Sequence, residues 1–402
     1  MQSVDDLLRY TVEHDASDLH LKADSTPYVR IYGDLYPVGD KIYTSEEHTE
    51  MLRAILTEHQ WLQFEHDLEL DFAHEIPGLA RFRGNIYQQR NRIQAAFRVI
   101  PLRIQTLEEI HAPKVCEYFA TRPRGFVLVT GPAGSGKSTT QAAMINLINQ
   151  TQAQHIVTVE DPIEFVHEDV MSHINQREVG NDTKSFANAL KFVLRQDPDV
   201  ILVGEMRDLE TIHLAITAAE TGHLVFGTLH TVDAVQTVDR VIDVFPMHQQ
   251  QQVRMQLSVN LVGVISQTLV KRADGKGRIA AFETLVATPA VRNLIRENKS
   301  FQIGSIIQTG ARQGMQTLDQ SIAKLVRAGL VTQEDGYAKS KDPGEFMRLL
   351  QAGGDQPGQQ QSQQAQPPGP PRPAGGVPGQ PNRPSVGGYR PPDQQGGTGP
   401  GR

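Results

Sequence analysis

Residues 131 to 139 read Gly131-Pro132-Ala133-Gly134-Ser135-Gly136-Lys137-Ser138-Thr139. This segment fits the pattern G-x-x-x-x-G-K-[ST], in which a glycine-rich loop connects a strand to a helix. The flanking sequence agrees, because Phe126–Thr130 is a short apolar run typical of a buried strand and residues 140–150 favour a helix. The pattern therefore predicts an α/β fold that carries a phosphate-binding loop. An ordinary glycine-rich turn before a helix is the alternative, and it does not account for the complete motif.

Each residue type in this loop has a physical role beside a phosphate group. Glycines allow backbone N–H groups to turn inward around the phosphate oxygens, and the helix N-terminus adds the positive end of its dipole. Lys137 is placed to reach the β- and γ-phosphates, and the Ser138 hydroxyl is placed to ligate Mg²⁺. The residues from Gly131 to Thr139 are therefore the candidate binding residues for a nucleoside triphosphate.

The composition limits the classes of function. The chain has 402 residues, enough for two or three domains, and its net charge of −7 argues against nucleic acid as the main partner. A single cysteine, Cys116, excludes a disulfide framework and a four-cysteine zinc site. The N-terminus lacks the features of a signal peptide, and no apolar run approaches the roughly 18 residues of a membrane span. We expect a cytoplasmic protein.

An acidic cluster follows the next predicted strand of this domain. The apolar run Ile156–Val159 is followed by Glu160, Asp161 and Glu164. In folds with a phosphate-binding loop, such strand ends lie at the edge of the sheet where the chemistry takes place. We predict that these three carboxylates tune the metal ion and its water shell. A solvated loop after a strand is the simpler explanation of the cluster taken alone.

A second acidic strand end supplies the candidate catalytic base. The buried run Asp199–Val203 is followed by Gly204 and Glu205. Many enzymes with this loop carry an aspartate at the strand end to support Mg²⁺, and here a glycine occupies that position. A glutamate just beyond the strand is well placed to orient and deprotonate an attacking water. Glu205 is therefore the predicted general base, against the alternative of a surface acid.

Two histidines mark the ends of a third predicted strand, residues 223–229. His223 begins the strand and His230 follows it, with several hydroxyl residues nearby. A lone histidine is usually structural, but two around one candidate active-site strand favour sensing of the γ-phosphate. We therefore predict that both contribute to the site. The neighbouring Arg207 belongs either to the site or to a contact between subunits.

The first 103 residues predict a small α+β domain that contains a hairpin. Residues 79–87 and 93–100 alternate as strands, with residues 88–92 between them. Five arginines lie in this short span and predict a basic face: Arg81, Arg83, Arg90, Arg92 and Arg98. A solvated strand face is the common explanation, and contact with an anion is the functional alternative.

The remaining boundaries follow from changes in composition. Residues 104–123 are interpreted as a connector, and residues 124–350 as the nucleotide-binding domain with its C-terminal helices. From residue 351 to residue 402 the chain is rich in Gln, Pro and Gly. Such a segment cannot bury enough apolar surface to offset its conformational entropy, so we expect a disordered tail.

Taken together, these residues resemble the bacterial secretion ATPases of the type II and type IV pilus class, over about residues 1–345. Residues 16–20 are similar to the start of the family's PAS-like domain, and residues 157–165 to its Asp box. Residues 201–208 resemble its Walker B segment, and residues 221–231 its His box. The resemblance implies a RecA-like ATPase domain that hydrolyses ATP with Mg²⁺, preceded by a PAS-like domain.

Two features indicate the retraction branch of this family. Assembly and type II secretion ATPases usually carry a four-cysteine element, which one cysteine cannot supply. Residues 290–297, Ala-Val-Arg-Asn-Leu-Ile-Arg-Glu, resemble the AIRNLIRE motif associated with pilus retraction, with Val291 where isoleucine is common. The resemblance therefore implies a motor for type IV pilus retraction and twitching motility.

The resemblance also implies an assembly and a partner. Arg83 and Arg98 match the family's arginines that reach the γ-phosphate of a neighbouring subunit, in a homohexamer. The expected partner is the platform protein of the pilus machinery at the inner membrane, with no nucleic acid. The alternatives are a pilus assembly or type II secretion ATPase of the same fold, a ring helicase, and a non-catalytic scaffold that only binds nucleotide.

Overall fold

The computed structural model describes residues 3–31, 33–100 and 103–352. Apart from its first two residues, the segment predicted to be a disordered tail therefore lies outside the described residues. None of the described helices is both long and apolar enough to cross a bilayer.

The described residues up to Ile100 form three helices around one six-stranded antiparallel sheet. Its strand order is β3-β2-β1-β6-β5-β4. One face carries the apolar core, which includes Leu19, Phe82 and Phe97. The elements are α1 (Val4–Glu13), β1 (Asp18–Lys22), β2 (Tyr28–Ile31), β3 (Asp34–Pro37), α2 (Ser45–Arg53), α3 (Glu58–Asp67), β4 (Glu69–Ile76), β5 (Ala80–Gln89) and β6 (Arg92–Ile100).

The predicted hairpin is β5 and β6, and its turn is shorter than the polar connection that the sequence predicts. Only Arg90 and Asn91 lie between the strands, and both have positive φ, 51° and 59°. Two such residues are typical of a type I′ turn, whose twist matches that of the paired strands. The strands therefore extend into residues 88, 89 and 92, which the sequence analysis had placed in the connection.

From Arg103 onward, the described residues form a seven-stranded sheet covered by helices. Its strand order is β13-β12-β7-β11-β10-β8-β9. The elements are α4 (Val115–Ala120), β7 (Gly125–Thr130), α5 (Lys137–Thr151), β8 (His155–Glu160), β9 (His173–Glu178), α6 (Phe186–Val193), β10 (Val200–Val203), α7 (Leu209–Glu220), β11 (Leu224–Leu229), α8 (Ala234–Asp243), α9 (Met247–Asn260), β12 (Leu261–Lys271), β13 (Arg278–Val286), α10 (Pro289–Arg296), α11 (Ile303–Thr309), α12 (Leu318–Arg327), α13 (Gln333–Lys339) and α14 (Pro343–Ala352).

The central strands of this sheet are parallel, and they are buried along their whole length. Every residue of β7, β10 and β11 is buried. Helices cover both faces of such a sheet, which is why these strands are continuous apolar runs rather than alternating patterns. The parallel pairing of β7, β8, β10 and β11 places their carboxyl ends at one edge. The candidate site lies there.

Threonine side chains cap two helices near the C-terminal part of this domain. Thr288 caps α10 by accepting a hydrogen bond from the Val291 amide at 3.4 Å, with Pro289 in the first turn. Thr317 caps α12 in a capping box with Gln320. Both caps pair backbone amides that the first turn of a helix leaves without an intrahelical acceptor.

Arg292 lies on α10, the helix that carries the AIRNLIRE-like sequence, and it binds the C-terminal end of α9. Its Nη1 donates to the carbonyl oxygens of Ser258, at 2.8 Å, and Val259. Its Nη2 donates to the Leu261 carbonyl at 2.8 Å, and its Nε to that of Ala287 at 2.9 Å. A cation that pairs the last carbonyls of a helix also complements its dipole. Arg292 therefore fixes the junction between α9 and β12.

Candidate active site

The phosphate-binding loop connects β7 to α5, as predicted. Gly136 stands at the N-cap of α5 with φ of 88°, and within the described residues no side chain caps this helix. The first amides of α5 are therefore available to an anion, and the dipole of a 15-residue helix favours negative charge there. This geometry is what a nucleotide phosphate requires.

The Lys137 side chain lies against its own loop. Its Nζ donates to the carbonyl oxygens of Gly131 at 2.9 Å and Pro132 at 3.0 Å, and the residue is 8% exposed. Burial lowers the pKa of Lys137, while the carboxylates of Glu205 and Glu164 act in the opposite direction. The lysine therefore lies within electrostatic reach of both acids.

The strand β12 forms the floor of the loop, a contact that the sequence motif does not reveal. Gln267 Nε2 donates to the Ser135 carbonyl at 2.7 Å. A Cβ atom at Gly131 would stand 2.3 Å from the Gln267 carbonyl oxygen, so the two backbones touch at this glycine. Ser135 Oγ is buried and has no hydrogen-bond partner among the described residues. A phosphate oxygen is a suitable acceptor for such a hydroxyl.

A line of hydroxyl groups connects the loop strand with the segment after β11. Thr130 and Ser266 hydrogen bond through their Oγ atoms at 2.7 Å, and Thr237 donates to Thr130 at 3.3 Å. Thr237 also bonds Thr231 at 2.7 Å. The residue after His230 is thus joined through α8 to the strand that carries the loop, so the two parts of the site share one hydrogen-bonded network.

The acidic cluster after β8 has one half-buried and two exposed carboxylates. Glu160 Oε1 accepts hydrogen bonds from Thr158 at 2.6 Å and from Gln176 at 3.2 Å, and burial raises the pKa of this carboxyl. Asp161 and Glu164 are exposed at the same edge. The backbones of Gly204 and Glu160 lie close together, because a Cβ at Gly204 would stand 3.1 Å from the Glu160 Cα. This close approach explains why a glycine precedes Glu205.

The chemistry of this edge fits Mg²⁺. Mg²⁺ prefers oxygen ligands and is commonly held by one or two protein groups together with phosphates and water. The Ser138 hydroxyl lies in the first turn of α5, and the carboxylates of the acidic cluster follow β8. Among the described residues, no three His, Cys, Asp or Glu side chains form a group that could hold a metal ion.

Glu205 lies just beyond β10 and is held by an arginine and a histidine. Arg207 donates from Nε to Oε1 at 2.5 Å and from Nη2 to Oε2 at 2.6 Å. His230 Nε2 lies 3.0 Å from Oε1. Burial raises the pKa of Glu205, but the hydrogen bonds and charges of Arg207 and His230 outweigh it, so the pKa lies below its ordinary value. Glu205 is therefore an ionised carboxylate at neutral pH.

Arg207 was placed by the sequence either in the site or at a subunit contact, and within this chain it belongs to the site. Its side chain is 76% exposed although both of its bonds to Glu205 are short. An exposed arginine is displaced more easily than a buried one because water can replace its bonds. Arg207 therefore occupies both oxygens of Glu205 through a contact that water can reach.

The structure brings His230 to the site of its own chain but not His223. His223 precedes β11, where its Nδ1 lies 2.8 Å from the Ala218 carbonyl and its own carbonyl accepts from the Gly125 amide. Gly125 begins β7, whereas the phosphate-binding loop follows the end of that strand. A six-residue strand spans about 20 Å, so the two histidines lie at opposite edges of the sheet. This differs from the expectation that both would lie near one site.

The arginines of the hairpin are mostly paired with carboxylates, so the basic face is partly neutralised. Arg81 Nη2 lies 3.7 Å from Glu178 Oε2 at the end of β9, which joins the two sheets within one chain. The other ion pairs are Arg83 with Asp71, Arg92 with Asp24 and Arg98 with Asp18. Arg83 and Arg98 therefore contact acids of their own domain in this chain, and their side chains are 46% and 70% exposed.

Comparison with known proteins identifies the family. A family model described as "Type II/IV secretion system protein" matches residues 101–339. The "Twitching motility protein" of Neisseria gonorrhoeae is 55% identical over 317 residues, which cover 79% of this chain and 85% of that protein. The "Type IV pilus retractation ATPase PilT" of Pseudomonas aeruginosa is 51% identical over 343 residues, 85% of this chain and 99% of its own length.

A solved structure supports the same assignment. The crystal structure of the pilus retraction motor PilT with bound ADP matches with a TM-score of 0.81 and 45% identity, and covers 87% of this chain and 100% of that one. The predicted resemblance, the α/β fold with a RecA-like ATPase domain and the ATPase activity are thereby confirmed. The chain belongs to the Type II/IV secretion system protein family and is an ATPase of that family.

Proposed function

We propose that this protein is the ATP-hydrolysing motor that powers type IV pilus retraction and twitching motility. It works as a homohexamer at the cytoplasmic face of the inner membrane, where it acts on the platform protein of the pilus machinery. The main support for the proposal is that the catalytic acid and the arginines lie on different sheets. The loop and Glu205 lie on the parallel sheet, whereas Arg83 and Arg98 stand on the other sheet with their side chains largely exposed.

The nucleotide is held at the edge where the parallel strands end. Lys137 and the amides of residues 131–139 bind the phosphates. Ser138 would hold Mg²⁺, with Glu160, Asp161 and Glu164 at its water shell, and the ion would supply positive charge to the phosphates. Glu205 accepts the proton of the attacking water, and His230, 3.0 Å from Glu205, responds to the γ-phosphate.

Glu205 must exchange partners before it acts as a base. Its two oxygens are bonded to Arg207 in this chain, and a carboxylate so paired is a weak proton acceptor. Nucleotide binding and closure of the neighbouring subunit displace Arg207 and free the carboxylate. The chemical step is then coupled to a change between subunits, as a motor requires.

The neighbouring subunit completes each site with its arginines. Arg83 and Arg98 stabilise the negative charge that develops on the γ-phosphate, the role that arginine fingers have in other ATPases. In a closed ring every subunit gives its arginines to one neighbour and receives them from the other. His223, at the far edge of the sheet, lies outside the site of its own chain, so we assign it no separate step.

Mixed rings test the action of the arginines between subunits. Arg83→Ala subunits and Lys137→Ala subunits are each expected to be nearly inactive alone. In a random equal mixture, about a quarter of the interfaces combine an intact loop with intact arginines, so ATPase activity recovers up to about that fraction. Release of inorganic phosphate by the reassembled rings measures this recovery.

A matched mixture is the control for this experiment. Arg83→Ala and Arg98→Ala subunits both keep their loops but each lacks one arginine, so no interface in their mixture is complete. We expect no recovery there. If the Arg83→Ala and Lys137→Ala mixture also stays inactive although mixed rings form, the arginines act within their own chain.

Deletion of the protein tests the biological function. We expect cells that carry surplus pili and do not spread by twitching, because pilin assembly continues without retraction. Pili counted by electron microscopy and the width of the twitching zone measure the result, with restoration by wild-type protein and not by Lys137→Ala as the control. Bald cells would assign the motor to pilus assembly instead.

A further inference from the structure

Four charged residues form one row across the N-terminal sheet. The register pairs Arg30 with Asp18, Asp18 with Arg98, and Arg98 with Arg83. Residues directly opposite each other on neighbouring strands point to the same face of a sheet, with Cβ atoms about 5 Å apart. This row, Arg30–Asp18–Arg98–Arg83, therefore lies on the face opposite to the apolar core. It places the Asp18 carboxylate between Arg30 and Arg98, with Arg83 on the far side of Arg98.

The Asp18 carboxylate is the buried member of the row. Its side chain is 11% exposed, against 70% for that of Arg98. Oδ1 accepts from Arg98 Nε at 2.9 Å, and Oδ2 accepts from the Ser17 hydroxyl at 2.7 Å. Both oxygens are thus fixed, because Ser17 is itself anchored through its amide to the Arg30 carbonyl. A carboxylate held in this way has one orientation.

This contact uses only one of the three nitrogens of Arg98. Within the described residues, Nη1 and Nη2 of Arg98 have no hydrogen-bond partner. A guanidinium held at Nε keeps its two terminal nitrogens as a rigid, planar fork for an anion. Asp18 therefore sets the plane of the guanidinium without occupying the end that binds phosphate.

The other arginines of the row leave this fork next to excess positive charge. Arg83 lies directly opposite Arg98, and its nearest carboxylate oxygen, on Asp71, is 4.0 Å away, too far for a hydrogen bond. Arg30 donates to the Gly33 carbonyl at 2.6 Å. Like charges opposite each other in a sheet repel, and an anion placed between them relieves that repulsion.

We propose that Asp18 is a positioning residue that aims Arg98 at the γ-phosphate held by the neighbouring subunit. The inference rests on the proposed action of Arg98 between subunits and adds the group that orients it. It assigns a function to Ser17, which precedes the strand β1, and to Asp18, which begins that strand. Asp18 itself does not touch the nucleotide, since Arg98 stands between them.

A double-mutant cycle tests this inference in the full-length ring. Asp18→Asn keeps the shape of the side chain and removes its charge, and we expect kcat for ATP to fall about tenfold because a misaimed group loses most of its effect. ADP binding stays unchanged because the loop lies on the other sheet. In an Arg98→Ala background the same change lowers kcat no further, since Asp18 acts through Arg98.

Controls separate positioning from a general effect on folding. Asp24→Asn removes the acid that pairs with Arg92, an exposed ion pair of the same sheet, and should leave kcat unchanged. Ser17→Ala removes one support of the carboxylate, so it should lower kcat less than Asp18→Asn, and only when Arg98 is present. If Asp18→Asn does not fold, the Ser17→Ala comparison carries the test.

The outcomes distinguish this inference from the proposed function. If Arg98→Ala reduces turnover and Asp18→Asn does not, or if their losses add, Asp18 has no positioning role while the proposed function stands. If Arg98→Ala leaves turnover at the wild-type level, the action of Arg98 between subunits is wrong, and the role of Asp18 is overturned with it. Recovery of kcat by Asp18→Glu, which restores the charge, supports the proposal.

Discussion

Replacement of Glu205 with glutamine is expected to lower ATP turnover by about 10²- to 10⁴-fold, the range for loss of a general base. Glutamine has nearly the same shape but cannot accept the proton of the attacking water. The loop and Lys137 are unaltered, so ATP binding and ring assembly should persist. Release of phosphate, binding of a fluorescent nucleotide and light scattering measure the three properties.

Glu210→Gln is the matched control for this prediction. Glu210 is an exposed acid in the first turn of α7, and it pairs at 2.5 Å with Lys191 of α6 rather than with a residue of the site. Its loss should leave turnover near the wild-type value. Normal turnover by Glu205→Gln would remove Glu205 from the role of base and direct attention to Glu160 or Glu164.

The pKa of Glu205 adds a pH criterion. Because Arg207 and His230 lower this pKa below the ordinary glutamate value of 4.5 despite burial, the carboxylate stays ionised at mildly acidic pH. While Arg207 stays bonded to Glu205, the base is lost only as the pH falls through a value below 4.5. The acid limb of kcat/KM reports the nucleotide-free protein, so such a limb near neutral pH would belong to a group other than Glu205.

The parts of the site that the sequence predicts are those whose position follows from local pattern. The loop motif specifies its own strand, turn and helix, so Lys137 and Ser138 lie where expected. Glu160 and Glu205 are predicted because they end parallel strands, and the carboxyl ends of parallel strands share one edge. No knowledge of the strand order was needed for this conclusion.

His223 shows the limit of that reasoning. A residue before a strand and a residue after it are neighbours in the sequence analysis, but the strand separates them by its full length. The same strand, β11, therefore carries His230 to the site and His223 to the opposite edge. The direction of the strand, which the pattern does specify, would have been sufficient to tell them apart.

Contacts between distant segments could not be predicted. Gln267 is 132 residues from Ser135, and a single glutamine in an apolar strand carries no signal of the loop that it supports. The pairing of Asp18 with Arg98 depends on the register of β1 against β6. Register is set by the packing of the whole face, so it becomes visible only in the fold.

The second large effect is expected for Gly131→Ala. Gly131 has φ of 145°, a backbone region that is nearly exclusive to glycine and costs about 1–3 kcal/mol for other residues. A Cβ there would stand 2.3 Å from the Gln267 carbonyl oxygen and 2.6 Å from Ser135 Oγ. Since the first of these atoms belongs to the backbone of a buried strand, the loop must move, and the Gln267–Ser135 hydrogen bond is lost.

We therefore expect Gly131→Ala to lower the free energy of unfolding by about 3 kcal/mol or more, the sum of backbone strain and overpacking. Nucleotide affinity should fall at least about a hundredfold, because amides that no longer converge on the phosphates forfeit several charge-assisted hydrogen bonds. Denaturant unfolding and ADP titration measure the two effects.

Gly134→Ala in the same loop separates these causes. Gly134 has φ of 71°, and a Cβ at this position meets no atom within 4 Å. Only the strain of a left-handed residue remains, about 1–2 kcal/mol, and Gln267 keeps its contact with the loop. Equal losses of stability and affinity for both variants would mean that the close approach of β12 does not determine the shape of the loop. A much larger loss at Gly131 would show that the contact with β12, beyond the motif itself, fixes where the phosphates bind.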